Sequence, residues 1–303
     1  MWPSIFTSPE IPYEFDSHFD LISSGVVDAV VVTLPRFLTY HVVQDCVDHG
    51  LWVFAEKPLC LNSDYAYPLI KSCLDNEVSI MTGYMREHDA AVQQLKRIIE
   101  AIDFDEIVSI TAHSHMGHSY AEPFGDIKGK TRSSVVPKKQ LLPCWLPEHH
   151  YFGFEQFLNV FSHITHLVEY LFDDRLKIRD AVTNENGEGS LLCTIQSKPV
   201  SLSLIRGYQY EWREGISLHT RHHSYNLKLP PAFLRNVPGT LYHVYGNESI
   251  STEVFEPKWS WSFLNQARAF HSFIANNSHE TRYLQRALNQ VEFAETLFKQ
   301  YII

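Results

Sequence analysis

Between Val26 and Thr82 the apolar positions alternate between two periods. Val26, Val27, Ala29, Val30, Val31, Val32 and Leu34 run almost without interruption, as β-branched residues do in a strand buried on both faces. Pro35 stops the run. Leu38, Val42, Val43, Cys46 and Val47 then fall at helical spacing, and Gly50 is placed to end that helix. Leu51-Trp52-Val53-Phe54-Ala55 forms a second short run. Ala66, Leu69, Ile70, Cys73 and Leu74 mark a second helix ending near Asp75-Asn76, and Val78 to Thr82 forms a third strand. Strand–helix–strand–helix–strand with tight connections predicts a parallel, doubly wound sheet with right-handed crossovers.

The pattern changes after Tyr84. Val92, Leu95, Ile98, Ile99 and Ile102 mark an amphipathic helix, and an alternating strand follows from Ile107 to about Met116. Strict alternation places Thr111, His113 and His115 on one face of that strand and Val108, Ile110 and Ala112 on the other. Residues 117–153, rich in Gly, Pro, Lys and Ser, read as a long functional excursion. A helix carries Phe157, Phe161, Ile164, Leu167, Val168 and Leu171. Strand-like segments run through 191–206, 215–228 and 241–256, before helices around 262–276 and 280–301. The whole predicts an α/β protein of two domains. Residues 1–84 form an incomplete parallel sheet, and residues 85–303 an α+β unit on a mostly antiparallel sheet.

Composition narrows the class. With 25 basic and 35 acidic side chains, 45% hydrophobic and 20% charged residues, the chain has globular composition and a net charge of −10. That charge, with no Lys/Arg block, argues against nucleic acid or an anionic membrane as partner. No apolar run reaches membrane-spanning length, and MWPSIFTSPEIPYEF lacks the pattern of a signal peptide. Five cysteines without CxxC spacing read as reduced thiols, so the expected setting is the cytoplasm.

The most specific stretch is residues 28–58, in which a strand, a proline turn, a helix, a glycine and a second strand lead into Glu56-Lys57-Pro58. It resembles the glucose–fructose oxidoreductase/inositol dehydrogenase (Gfo/Idh/MocA) family. The resemblance continues at Gly83-Tyr84-Met85-Arg86 and at Asn159-Val160-Phe161-Ser162-His163, where the family usually carries Asp, three residues and His. It implies a Rossmann-like nucleotide-binding domain, an open-faced substrate domain, and hydride transfer between NAD or NADP and a sugar-like hydroxy or carbonyl compound. By the same resemblance Lys57 and His163 form the acid–base pair and Asn159 hydrogen-bonds the substrate. Pro35, Glu56, Lys57 and Arg86 lie toward the cofactor. Thr39 stands where a histidine is common, with His41 two positions on.

The residue types agree with that chemistry. A lysine within reach of a carbonyl stabilises developing alkoxide, and a histidine can shuttle the proton. Asn159 in place of Asp keeps a hydrogen-bonding handle and removes a charge and a base. A dinucleotide site also needs G-x-G-x-x-G/A after its first strand, and the sequence has no such motif. The stretch before Val26 is too short for the family's first three strands, so that part of the domain is expected to be missing. Three readings stay open: a shortened dehydrogenase, an NAD(P)-independent isomerase, lyase or cyclase, and a non-catalytic sensor or scaffold. The exposed sheet edge such a domain would have favours a homodimer.

Ten of the seventeen histidines cluster at 113–118, 149–150, 163–166 and 219–223. Asn159, His163 and His166 are spaced to share a helix face, and the site is read as a polar cleft without a metal, since no carboxylate or cysteine stands at ligand spacing. His113, Trp145, Tyr151 and His166 are the candidate substrate contacts. Lys128, Lys130, Arg132, Lys138 and Lys139 give the excursion positive charge, read as a solvated loop or a lid over an anionic ligand.

Overall fold

The computed structural model describes residues 12–117, 141–207, 212–232, 234–246 and 249–303. A short helix α1 (His18–Ser24) leads into β1 (Ala29–Val32), α2 (Arg36–Asp48), β2 (Trp52–Ala55), α3 (Ser63–Asp75) and β3 (Ile80–Thr82). The three strands pair in parallel in the order β1-β2-β3, the Rossmann-like arrangement that the alternation of periods predicts. Gly50 takes φ +75° directly after α2 and lets the chain turn straight into β2. Asn62 caps α3 by accepting from Asp64 N.

One expectation fails in this sheet. β2 and β3 are buried throughout, but in β1 only Val30 and Val32 face inward, and Val31 is 63% exposed. β1 is an edge strand of the described sheet, and on its other face Ala29 is partly buried while Val31 is open.

The second unit begins with α4 (Ala90–Ala101), capped by the Asp89 side chain, and β4 (Ile107–Met116). After residues 141–150 come α5 (Tyr151–Gln156), one wide π-helical turn (Phe157–Phe161) and α6 (Ser162–Phe172). Then follow β5 (Lys177–Thr183), β6 (Gly189–Ile195), β7 (Lys198–Arg206), β8 (Arg213–Thr220), β9 (His223–Leu229), β10 (Thr240–Tyr245) and β11 (Ser251–Phe255). With β4 they form one eight-stranded sheet in the order β11-β10-β9-β8-β4-β7-β6-β5. Every neighbouring pair is antiparallel except β4–β7. Helices α4 and α6 cover one face, and alternation along the strands leaves the other face open.

Two details depart from the sequence reading. A register shift between Ile107 and Ser109 turns Val108 outward, 53% exposed, while Ile110 and Ala112 stay in the core. The strand β5 was not expected, because its alternation (Ile178, Ala181) is broken by a second shift between Ile178 and Asp180.

The last two helices, α7 (Ser262–Ala275) and α8 (Arg282–Leu297), tie the units together. Phe273 packs edge-on to Trp52 at 5.3 Å and Phe270 lies 5.6 Å from Phe54, both on the parallel sheet. Leu284 joins the same core. One turn further along α8, Leu288, Val291, Phe293, Ala294 and Leu297 enter the larger core beneath the eight-stranded sheet. A single helix thus belongs to two cores, because its apolar residues exceed one stripe. Among the described residues no helix is long and apolar enough to cross a membrane. Cys46, Cys60, Cys73 and Cys193 are buried free thiols, and Cys144 is free and exposed.

If α7 is what closes the parallel sheet, Phe273→Ala should cost about 3 kcal/mol in urea unfolding, the usual price of emptying a buried phenyl site. A loss below about 1 kcal/mol would mean that the sheet does not rely on this helix.

Candidate active site

The chain leaves the buried end of β2 through Glu56-Lys57-Pro58, with a cis peptide bond between Lys57 and Pro58. Glu56 folds across Gly83, just after β3. A Cβ at Gly83 would lie 2.7 Å from Glu56 Oε2, so glycine is what admits the carboxylate there. Burial pushes the Glu56 carboxyl above its ordinary range, against the pull of Lys57.

Lys57 then points across to the second unit. Its ammonium donates to the backbone carbonyl of Asn159 and, at 3.2 Å, to Asn159 Oδ1. Asn159 lies in the π-helical turn, where the wider winding brings its carbonyl within reach of Lys57; such turns recur at functional sites. Burial lowers the Lys57 pKa from the ordinary 10.5 to about 8, with Glu56 opposing and the nearby Arg36 adding to the fall. The unfolded chain keeps that proton up to about 10.5, so Lys57 weakens folding at and below pH 8 and weakens it progressively less between 8 and 10.5.

His163 sits one turn after Asn159, half-buried, with its Nδ1 enclosed and without a hydrogen-bond partner among the described residues. Burial first, then the charges of Lys57 and Arg86 and the neighbouring His166, hold it well below its ordinary pKa, so it is neutral at pH 7. Its ring is edge-on to Tyr84 at 5.9 Å, and Tyr84 stacks flat on His166 at 3.8 Å. His166 is buried, and burial lowers its pKa to about 4. Its Nε2 lies 3.8 Å from Glu87 Oε2. Burial pushes Glu87 up, but His88, His166 and Arg286 outweigh it and leave the carboxyl below its ordinary range.

Two further ion pairs lie at the junction. Arg36, at the start of α2, reaches Glu155 Oε2 at 3.2 Å. Arg86, fully buried, is ion-paired with Glu214 of β8 and donates to Pro230 O at 2.7 Å. Neither pairing was foreseen. Glu214 could have been found, because it shares the inward face of β8 with Ile216 and Leu218, where an unpaired carboxylate would be costly.

The structure therefore gathers Lys57, Asn159, His163 and His166, with Glu56 and Arg86 beside them, at the junction of the two units. It does not bring the other candidates there. His113 lies on the open face of the eight-stranded sheet with His115 and Arg213, and burial together with those two lowers its pKa. Trp145 is packed under Lys299, whose ammonium lies 4.4 Å above the ring, and against Phe154. Tyr151 is half-buried against the larger core, and Pro35 is exposed at the start of α2. Lys128, Lys130, Arg132, Lys138 and Lys139 lie outside the described residues. Among the described residues no group of three or more His, Cys, Asp or Glu side chains is arranged to hold a metal ion.

A bound dinucleotide would need a glycine turn joining a strand to a helix N-terminus. The turn from β1 into α2 is Thr33-Leu34-Pro35, without glycine or a side-chain cap, and Arg36 beyond it is engaged by Glu155. No other strand-to-helix turn among the described residues supplies the cradle, so the residues present do not complete a pyrophosphate site.

Comparison with known proteins places the fold. Residues 5–84 match the family model of the Gfo/Idh/MocA proteins, described as an oxidoreductase family with an NAD-binding Rossmann fold. The inositol 2-dehydrogenase of Burkholderia multivorans is 34% identical over 83 residues, 27% of this chain and 25% of that protein. The 2,7-anhydro-N-acetylneuraminate hydratase of Escherichia coli is 30% identical over 89 residues, 29% of this chain and 24% of that protein. The matched stretch thus spans about a quarter of the length of these relatives. A 3-ketoreductase from Actinomadura kijaniata, crystallised with NADP and TDP-benzene, superposes with a TM-score of 0.67 at 16% identity, covering 93% of this chain and 81% of that one. Residues 5–84 are thus similar to the Gfo/Idh/MocA oxidoreductase family, and both units share the fold of the superposed 3-ketoreductase.

Breaking the buried Arg86–Glu214 pair from one side leaves a bare charge in the core. Arg86→Ala should cost about 3–5 kcal/mol in chemical unfolding, and Arg86→Met with Glu214→Leu should recover most of it. Equal losses in the single and double variants would show that the pair is not what holds this junction.

Proposed function

We propose that this chain is an enzyme acting on a sugar-like or other small hydroxy or carbonyl compound, with Lys57 and His163 as its acid–base pair and Asn159 as a substrate hydrogen bonder. The observation that carries the reading is the Lys57 ammonium, carried by one unit and hydrogen-bonded, among the described residues, to the carbonyl oxygens of Asn159 in the other. A substrate oxygen entering there meets a nitrogen whose pKa of about 8 suits proton transfer near neutral pH.

Lys57 as a free amine accepts the proton of a substrate hydroxyl, and as ammonium it returns one to a carbonyl oxygen. His163, neutral and with an unengaged Nδ1, offers the next site for that proton. Tyr84 fixes the imidazole from the side and keeps water from it. Asn159 carries no charge, so it orients Lys57 without raising its pKa as a carboxylate would.

Two kinds of reaction use this pair. In the first, oxidoreductase chemistry, the dinucleotide (NAD or NADP, as the family description suggests) would depend on groups beyond the described residues. In the second, the pair alone moves protons in an isomerase, lyase or cyclase. The relatives support both, the inositol 2-dehydrogenase the first and the hydratase the second. Titration with NADH and NADPH, read by nicotinamide fluorescence, separates them: saturable binding supports the first, and none supports the second. We also propose a homodimer in the cytoplasm, for which the exposed apolar edge at β1 and the free thiols are the support.

With the substrate that a polyol and sugar panel identifies, Lys57→Ala should lower kcat/KM by about 10²–10⁴-fold. In the direction that takes a proton from the hydroxyl, the wild-type rate should rise about tenfold per pH unit and level off above pH 8, where the amine is free. Asn159→Asp should shift that limb upward, because a carboxylate favours the ammonium. Unchanged turnover in Lys57→Ala, with intact partner or ligand binding, would leave a sensor or scaffold.

A further inference from the structure

The eight-stranded sheet ends in β9, β10 and β11, and these three strands bring together polar side chains that the junction does not use. Alternation puts His223 and Tyr225 of β9, with His243 and Tyr245 of β10, on the face of Leu227 and Leu241. Register sets His243 directly opposite Tyr225 on one side and Glu253 of β11 on the other. Tyr245 stands opposite His223.

The side chains form one hydrogen-bonded line across the three strands. Tyr245 donates to Glu253 Oε1 at 2.9 Å, and His243 Nδ1 lies 3.4 Å from Glu253 Oε2. Tyr245 first, then His243, hold the Glu253 carboxyl below its ordinary range. A carboxylate only accepts, so His243 carries its proton on Nδ1 and leaves Nε2 with a lone pair. That Nε2 lies 3.0 Å from His223 Nδ1. Tyr225 stacks on the His243 ring at 4.5 Å and Tyr245 at 4.6 Å, which fixes its orientation. A carboxylate holding one imidazole nitrogen, with the other nitrogen turned to a second imidazole, is how proteins orient histidine for a metal ion. The His243 side chain is 22% exposed, so water reaches it.

We propose that His223 and His243 bind a zinc-like divalent cation, with Glu253 orienting His243 and water completing the coordination. Imidazole suits such ions, whereas magnesium and calcium take oxygen ligands. Two Zn–N bonds of ordinary length at a tetrahedral angle set the nitrogens about 3.3 Å apart, so the pair opens by about 0.3 Å. His223, when neutral, needs only to carry its proton on Nε2 to present Nδ1 to the ion. Burial, Glu106 and Glu253 raise the Tyr225 pKa, so two carboxylates act on this patch, in a chain with ten excess negative charges. Such a field favours a cation. Among the described residues no third His, Cys, Asp or Glu completes the set, so the site stays open and the ion exchanges with solution. The site does not rest on the function proposed for Lys57.

Calorimetric titration of the whole, tag-free chain, dialysed against EDTA and then buffer, with ZnCl2 and with MgCl2 tests this. Zinc should bind saturably at a site that magnesium does not fill. Affinity should fall about tenfold or more in His223→Ala, in His243→Ala and in Glu253→Gln, and stay unchanged in His149→Ala, which lies in another histidine cluster. In the unaltered chain, substoichiometric CuCl2 should broaden the imidazole NMR signals of His223 and His243 before those of the other histidines, a readout that needs no variant to fold. Absence of saturable zinc binding would overturn the proposal. So would zinc binding that survives both histidine changes, an unchanged affinity in Glu253→Gln, or copper broadening that begins at other histidines.

Discussion

Everything proposed for the junction depends on one contact: the Lys57 ammonium of the first unit resting on the carbonyl oxygens of Asn159 in the second. Neither unit provides this environment alone. β2 delivers the lysine at the end of a fully buried strand, and the π-helical turn before α6 presents the acceptor. The junction is also dry and crowded, which lowers the pKa values of Lys57, His163 and His166 together. Burial is the leading cause in all three, and the positive charges of Arg36, Arg86 and Arg286 deepen the effect.

Around these three groups the other charges of the junction are paired. Arg86 is neutralised by Glu214, Arg36 by Glu155, and Glu87 is surrounded by His88, His166 and Arg286. The Arg36–Glu155 and Arg86–Glu214 pairs also fix the geometry, since each joins residues more than a hundred positions apart. α8 adds the apolar counterpart, with Leu284 in one core and Leu288 to Leu297 in the other. The junction between the units is therefore held by both kinds of force.

Much of this was legible in the sequence. The parallel strands and their helices follow from runs of β-branched residues punctuated by Pro35 and Gly50, and Lys57, Asn159 and His163 were singled out by the family resemblance. What escaped were features without a periodic signal. The register shifts in β4 and β5 break alternation locally, and a π-helical turn inserts one residue into a helical pattern that otherwise reads as continuous. Long-range pairs such as Arg86–Glu214 and Arg36–Glu155 leave no local trace at all. The histidines of β4 were assigned to the cleft from residue type alone, and only the sheet order shows that they face the open side.

The central claim is that the junction lowers the Lys57 pKa to about 8, bringing the free amine within reach near neutral pH, before any substrate arrives. The most direct measurement is an NMR titration of the Lys57 Nζ in the ligand-free protein, assigned by loss of its signal in Lys57→Arg. A midpoint near 8 is what burial against Asn159 requires. A midpoint at the ordinary 10.5 would mean that water reaches the lysine freely and that the junction does not prepare it for proton transfer.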